Sequence, residues 1–245
     1  MEGTNEIGSV WMTRLRAIPF AFEELGRQLL AWIGRKPERR VAALEFARAH
    51  AAPGDPVSVL AALDRFAREE RFLMNVGPEK GPLLEEAVRE AGPAARILEL
   101  GTFVGYSAIL MARHLSDEGR LVSVDVSPTS SEIAQQMAEL AGVGHRIDFV
   151  TGKSTEALET LEGPFDLVFL DHWKSLYKPD AELLLVRGLL RPGAVLIADN
   201  VGPMFGENPY VPWMKARPDF ESRYVSGHVE YQTIEDGALV SRWKG

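Results

Sequence analysis

Two aspartates, an asparagine and a lysine stand just past the ends of short apolar runs, and together they can do chemistry that none could do alone. The run Phe165-Asp166-Leu167-Val168-Phe169-Leu170 leads directly into Asp171-His172-Trp173-Lys174, and a second run, Ala194-Val195-Leu196-Ile197-Ala198, leads into Asp199-Asn200. If both runs are strands of one open parallel sheet, their ends share the rim where such sheets bind ligands. Three hard oxygen donors gathered there fit a divalent cation, and a lysine shortly after Asp171 fits a proton acceptor beside it. A solitary aspartate at a strand end is ordinarily a cap, and a solitary lysine is ordinarily solvated. The second strand end, Asp199-Asn200, is what makes Asp171 and Lys174 site candidates. His172 suits packing or a ligand ring better than a metal, while His50, His114, His145 and His228 have no metal-ligand spacing.

A further cluster begins at Glu99-Leu100-Gly101-Thr102-Phe103-Val104-Gly105-Tyr106-Ser107, where an apolar run turns into a helical pattern. Glycines in such a turn let the backbone approach a ligand closely. The third glycine of the pyrophosphate-binding array is missing, which disfavours a dinucleotide. The following run ends at Asp125, placed to accept hydrogen bonds from two ribose hydroxyls across the strand ends. With Glu99, this points to a nucleoside carrying a cationic group rather than phosphates.

These residues need a framework. At 245 residues, 46% hydrophobic and 25% charged, the chain suffices for one α/β domain with a full core. It has no cysteine, which excludes disulfides, thiolate zinc sites and cysteine nucleophiles; a reducing compartment and a cytoplasmic location are the simplest expectation. A net charge of -8 argues for a small-molecule substrate and against a nucleic-acid partner. Arg14, Arg16, Glu23, Glu24 and Arg27 interrupt the apolar N-terminal region, so no transmembrane segment is expected, and the first residues lack the basic stretch of a secretory signal.

Between Val10 and Ile33, Phe22, Leu25, Leu29, Trp32 and Ile33 recur at helical spacing. Such an amphipathic helix packs on the domain or on a second subunit; Trp11, Trp32 and the basic residues Arg35, Lys36, Arg39 and Arg40 favour the alternative of a peripheral membrane contact. Monomer and homodimer both stay open. Two more helices are expected from Pro37 to about His50 and from Pro56 to about Phe72, parted by Pro53-Gly54-Asp55. Strand patterns at Ile97-Leu100, Leu121-Val126, Ile147-Val150, Leu167-Leu170 and Ala194-Ala198 then alternate with helical ones, the signature of right-handed βαβ units with helices on both sheet faces. A closing hairpin is expected around the turn Glu235-Asp236-Gly237.

Met74-Asn75-Val76-Gly77, Glu99 to Ser107 with Met111-Ala112-Arg113, Gln135-Gln136-Met137, Phe169 to Lys174, Leu189-Leu190-Arg191, Ala198-Asp199-Asn200-Val201 and Glu230-Tyr231 follow one another in an order that resembles the catechol O-methyltransferases, among the class I S-adenosylmethionine-dependent methyltransferases. The resemblance runs from about Arg39 to the C-terminus. It implies an α/β fold: a Rossmann-like, doubly wound, mostly parallel seven-stranded sheet with an antiparallel C-terminal hairpin and extra N-terminal helices, divided into an extension over 1–38 and a methyltransferase domain over 39–245. It also implies two cofactors, S-adenosylmethionine and Mg2+, and a catechol-type substrate. By residue, Asp171, Asp199 and Asn200 correspond to the metal ligands, Lys174 to the catalytic base, and Glu230 to the residue that holds the second substrate hydroxyl. Glu99, Gly101, Tyr106 and Ser107 fall around the cofactor's methionine part, Asp125 at its ribose, and Ser154, His172 and Trp173 around its adenine, with Val126 and Asp171 also in the cofactor-binding set. Met74 and Val76 line the site near the sulfonium. The substrate set is Phe72, Met74, Trp173, Lys174, Asn200, Pro203 and Glu230, with Met204 and Trp213 as further aromatic-ring contacts.

The sequence departs from the family at Phe72, a tryptophan in the animal enzymes, at Phe103, a tyrosine there, and at Asp125, a longer glutamate there. The turn-rich segment from Gly202 to Trp213 differs more, which leaves substrate size and regioselectivity open. Two other readings compete: a nicotinamide-dependent oxidoreductase, because the glycine turn and acidic second strand are shared with that class, and a membrane-associated binding protein without activity.

Overall fold

Five apolar runs become five parallel strands, and their ends fall level. They are β1 (Arg96–Leu100), β2 (Arg120–Asp125), β3 (Ile147–Thr151), β4 (Phe165–Leu170) and β5 (Leu190–Ala198). Two antiparallel strands, β6 (Phe220–His228) and β7 (Glu235–Trp243), complete a seven-stranded sheet of order 3-2-1-4-5-7-6. The computed structural model describes residues 37–206 and 208–245. The expected helix between Val10 and Ile33 therefore lies outside the described residues, as does any subunit or membrane contact it makes.

The chain steps outward from β1 to β2 and β3, then crosses back to β4. Strand order thus reverses beside β1, and a crevice opens at the C-terminal ends of β1 and β4. Eight α-helices are described: α1 (Arg39–His50), α2 (Pro56–Glu69), α3 (Gly77–Ala91), α4 (Tyr106–Ala112), α5 (Pro128–Leu140), α6 (Ser154–Thr160), α7 (Tyr177–Val186) and α8 (Tyr210–Lys215). Local chemistry sets several starts. Asp55 accepts from the Val57 amide ahead of α2, Ser127 accepts from the Ser130 amide ahead of α5, and Pro56 and Pro128 follow these caps.

Side chains alternate across the strands, so each strand feeds two cores. Ile97, Leu121, Leu167, Phe169 and Ile197 pack with Leu63, Leu84, Ile109 and Met137 on one face. Leu98, Val122, Val168, Leu170 and Leu196 pack with Leu158, Tyr177, Leu184 and Tyr210 on the other. Burial on both faces is why these runs read as continuously apolar rather than alternating.

Three elements differ from the sequence-based expectation. Helix α3 occupies a stretch that carries Gly77, Pro78, Gly81 and Pro82, all helix breakers by composition; the burial of Leu84, Ala87 and Val88 overrides them, and Pro78 falls in the first turn where its missing N–H costs little. Helix α8 was masked by its own Pro212. The turn of the C-terminal hairpin is not Glu235-Asp236-Gly237: those residues belong to β7, with Asp236 opposite Gly227 and Gly237 opposite Ser226, and the connection runs over Val229 to Ile234. An Asp-Gly pair is a strong local turn signal, but here the buried carboxylate of Asp236 is used by tertiary partners instead.

Candidate active site

The sheet's own ladder delivers the predicted residues to one rim. The Asp171 amide donates to the Leu100 carbonyl at 2.9 Å, and the Asp199 amide donates to the Leu170 carbonyl at 3.0 Å. The residues following β1, β4 and β5 therefore leave the sheet side by side. Gly101, at φ 107°, occupies the narrowest point, since a Cβ there would collide with the Asp171 carbonyl. Past it, the loop turns through Phe103 (φ 49°) and Gly105 (φ 82°), both left-handed, before α4 begins.

Asp125, at the end of β2, holds this loop. Its Oδ2 accepts from the Thr102 and Phe103 amides at 3.1 and 3.0 Å, and its Oδ1 accepts from the Ser127 amide at 2.8 Å. Beneath the loop lies Glu99, fully buried, with Ser107 donating to Oε1 and Ser123 donating to Oε2 at 2.5 Å. Burial pushes the Glu99 carboxyl up to about 8, against the pull of the two serine hydroxyls. Burial thus favours the protonated form of Glu99, and a cation placed against it would draw the proton off.

The other half of the rim is a network of charges. Lys174 Nζ donates to Asn200 Oδ1 at 3.0 Å and stands 3.8 Å from Asp171 Oδ1, so groups from two strand ends converge on one point. Asn200 is left-handed at φ 52° and buried. Behind it lies Lys80, from α3, whose Nζ pairs with Asp199 Oδ1 at 2.6 Å, Asp236 Oδ2 at 2.7 Å and Glu230 Oε1 at 3.1 Å. Burial pushes Asp171 up to about 7 against the pull of Lys174, and pushes Glu230 up to about 9 against the pull of Lys80. Asp199 is raised for the same first reason. Burial disfavours the Lys80 ammonium, but its three carboxylates outweigh that and hold it charged. Four carboxylates and two ammoniums leave negative charge uncompensated in a dry place, which is what the raised carboxyls report.

Among the described residues, no three acidic, histidine or cysteine side chains form a metal cluster. The candidate set is instead two carboxylates and one amide oxygen, Asp171, Asp199 and Asn200. All-oxygen donors and a surplus of negative charge fit a hard divalent cation such as magnesium.

A cavity of about 720 Å³ opens over the rim. Met74, Val76, Gly101, Tyr106, Ser107, Asp125, Val126, Ser154, Asp171, His172, Trp173 and Lys174, all predicted site residues, line it. Asp199, Asn200 and Glu230 do not line it: all three are buried, Asn200 bonded to the lining residue Lys174, and Asp199 and Glu230 joined through Lys80. Phe72 is buried behind the rim with Val229 and Ile234, and Met204, Phe205 and Tyr231 pack on it. Pro203 opens a short 3₁₀ turn over Pro203–Phe205, whose Phe205 reaches the cavity and lies 5.3 Å from Lys174 Nζ. Trp213 packs against Tyr210 and under Arg217.

Four partners escaped the sequence reading. Lys80 sits in a glycine- and proline-rich stretch with no spacing signal, and Asp236 was hidden by its turn-like context. His172 Nε2 is bound to the buried Asp180 Oδ2 at 2.7 Å, in the first turn of α7, six residues past the end of the motif. Tyr231, left-handed at φ 62°, donates to Asp64 Oδ1 at 2.8 Å, fixing the backbone beside Glu230.

Residues 52–205, most of the chain, match the O-methyltransferase family. The chain belongs to this family. It is a class I S-adenosylmethionine-dependent O-methyltransferase related to the catechol O-methyltransferases. It is 38% identical to the mouse catechol O-methyltransferase over 218 residues, covering 87% of this chain and 81% of that protein. It is 39% identical over 219 residues to a probable O-methyltransferase of Mycobacterium tuberculosis, covering 84% and 93%. Among solved structures, the Streptomyces achromogenes O-methyltransferase TomG, in complex with S-adenosylmethionine, superposes with a TM-score of 0.63 at 27% identity over 76% of this chain and 89% of that one. The nicotinamide and non-enzymatic readings are thereby set aside for this O-methyltransferase.

Proposed function

We propose that this enzyme transfers the methyl group of S-adenosylmethionine to one hydroxyl of a catechol-type aromatic diol, with magnesium held by Asp171, Asp199 and Asn200. The observation that carries the reading is the convergence of Lys174 with oxygens from two adjacent strand ends, where Asp171 and Lys174 line a cavity of about 720 Å³. The cofactor supplies an electrophilic methyl on a sulfonium, and the metal supplies Lewis-acid polarisation of two neighbouring oxygens.

The chain's own groups do the rest. Phenols ionise near pH 10, so the reacting hydroxyl needs an acceptor for its proton, and Lys174 Nζ is the group within reach of the rim. Glu230 accepts a hydrogen bond from the second hydroxyl and so turns the ring until one oxygen faces the methyl carbon. Asp125 would hold the cofactor's ribose and Glu99, from beneath the loop, would offset its cationic methionine end. Met74, Val76 and Tyr106 would wall the sulfonium, and Trp173, 73% exposed, would cover a bound ring. Phe72 and Pro203 back the acceptor side through Phe205 and Met204.

A methyl-transfer assay tests this with catechol, a monophenol and a carboxylic acid, before and after chelation. The expected result is catechol methylation that chelator abolishes and magnesium restores. Chelator-insensitive turnover, or equal turnover of the monophenol, would overturn it.

A further inference from the structure

Asn200 can serve a cation only through its amide oxygen, so something must decide which way the amide faces. Its Nδ2 donates to Asp236 Oδ2 at 2.9 Å, while its Oδ1 accepts from Lys174 Nζ at 3.0 Å. Rotating the amide by half a turn would set its NH2 against an ammonium and its oxygen against a carboxylate. Asp236 is itself immobilised: Oδ2 also accepts from Lys80 Nζ at 2.7 Å, and Oδ1 accepts from the Gly202 amide at 3.0 Å. The approach is so close that a Cβ on Gly202 would meet Asp236 Cα at 2.5 Å. Lys80 takes Asp199 Oδ1 at 2.6 Å, which leaves Oδ2 as the oxygen Asp199 can offer.

We infer that Asp236 and Lys80 are positioning residues of the cation site: Asp236 fixes the Asn200 amide with its oxygen toward Lys174, and Lys80 fixes Asp199 to a single available oxygen. Neither touches the reacting atoms. The inference rests on the magnesium-dependent reading above and extends it to residues that reach the site from α3 and β7. An asparagine at 236 is nearly isosteric, but it cannot accept on both of its side-chain atoms. Its NH2 then faces either the Gly202 amide or both Asn200 Nδ2 and Lys80 Nζ.

The test titrates Mn2+ into wild type, Asp236→Asn and Lys80→Arg, reading free Mn2+ by paramagnetic resonance, and measures S-adenosylmethionine binding on the same samples. Loss of an outer partner of a metal ligand typically costs about 10- to 100-fold in metal affinity, so Asp236→Asn should weaken Mn2+ binding by that order while cofactor affinity stays within about twofold. Lys80→Arg keeps the charge, and its wider fork cannot sit at one point among three carboxylates; Mn2+ affinity should fall in the same direction. In turnover, the apparent KM for magnesium should rise with kcat recovering at saturating metal. Unchanged Mn2+ affinity in both variants, or a parallel loss of Mn2+ and cofactor binding, would overturn the inference. If wild type itself takes up no Mn2+, the cation reading falls with it, whereas equal binding by wild type and variants sinks the positioning roles alone.

Discussion

At the scale of single residues, burial sets the chemistry. Lys174 shares its reach between Asn200 and Asp171, while Lys80 is committed to three carboxylates. Lys174→Met should therefore lower kcat by about 10²- to 10⁴-fold, the usual range for a lost general base, with cofactor affinity little changed. Stopped assays with a calorimetric cofactor titration read both; unchanged turnover would remove Lys174 from the mechanism. Glu99 makes a different prediction. Its ordinary value is 4.5 and burial raises it to about 8, so between these values the unfolded chain binds fewer protons than the folded one. The stability Glu99 contributes is complete below about 4.5 and is lost as pH rises toward 8. Relative to wild type without cofactor, Glu99→Gln should gain melting temperature steadily from pH 5 to pH 8. A difference that stays flat across that range would show that Glu99 is ionised in the folded protein.

At the scale of elements, loops are held by tertiary partners. The β1–α4 loop carries two left-handed glycines and Phe103, and Asp125 gathers its amides. Gly101→Ala should push this loop off the Asp171 carbonyl and weaken cofactor binding by at least about tenfold, with a strain cost on the order of 1–3 kcal/mol. Cofactor titration beside thermal unfolding measures both. The Val229–Ile234 connection depends on the Tyr231–Asp64 bond between the hairpin and α2, with Arg68 over the Tyr231 ring at 5.2 Å. Tyr231→Phe should cost about 1–2 kcal/mol and raise the acceptor KM more than the cofactor KM, because Glu230 is the neighbouring residue. An acceptor KM equal to wild type would show that Glu230 is placed without that bond.

At the scale of the whole molecule, a two-faced sheet carries the site. Phe169 lies one residue from the end of β4, fully buried, two residues before Asp171. Phe169→Ala should destabilise the protein by about 3–5 kcal/mol, and denaturant unfolding followed by fluorescence would read it. A loss under about 1 kcal/mol would mean that the core collapses around the void. The parallel strands and the residues at their ends were legible in the sequence, because short apolar runs, flanking turns and the chemistry of Asp171, Lys174, Asp199 and Asn200 are local in the chain; the order of the strands in the sheet was not. Helix α3, the position of the last turn, and the roles of Lys80, Asp236, Asp64 and Asp180 were not. Lys80 and Asp64 depend on partners more than a hundred positions away, Asp236 lies in a dipeptide whose local preference is a turn, and Asp180 meets His172 only because the chain folds back from β4 into α7. Composition and spacing by themselves determined the sheet and the donors it presents, since those follow from backbone periodicity and side-chain chemistry. Only the tertiary structure decided which buried charges compensate which and which way the Asn200 amide faces, because those choices are made by low-dielectric contacts that exist only once α3, β5 and β7 are brought together.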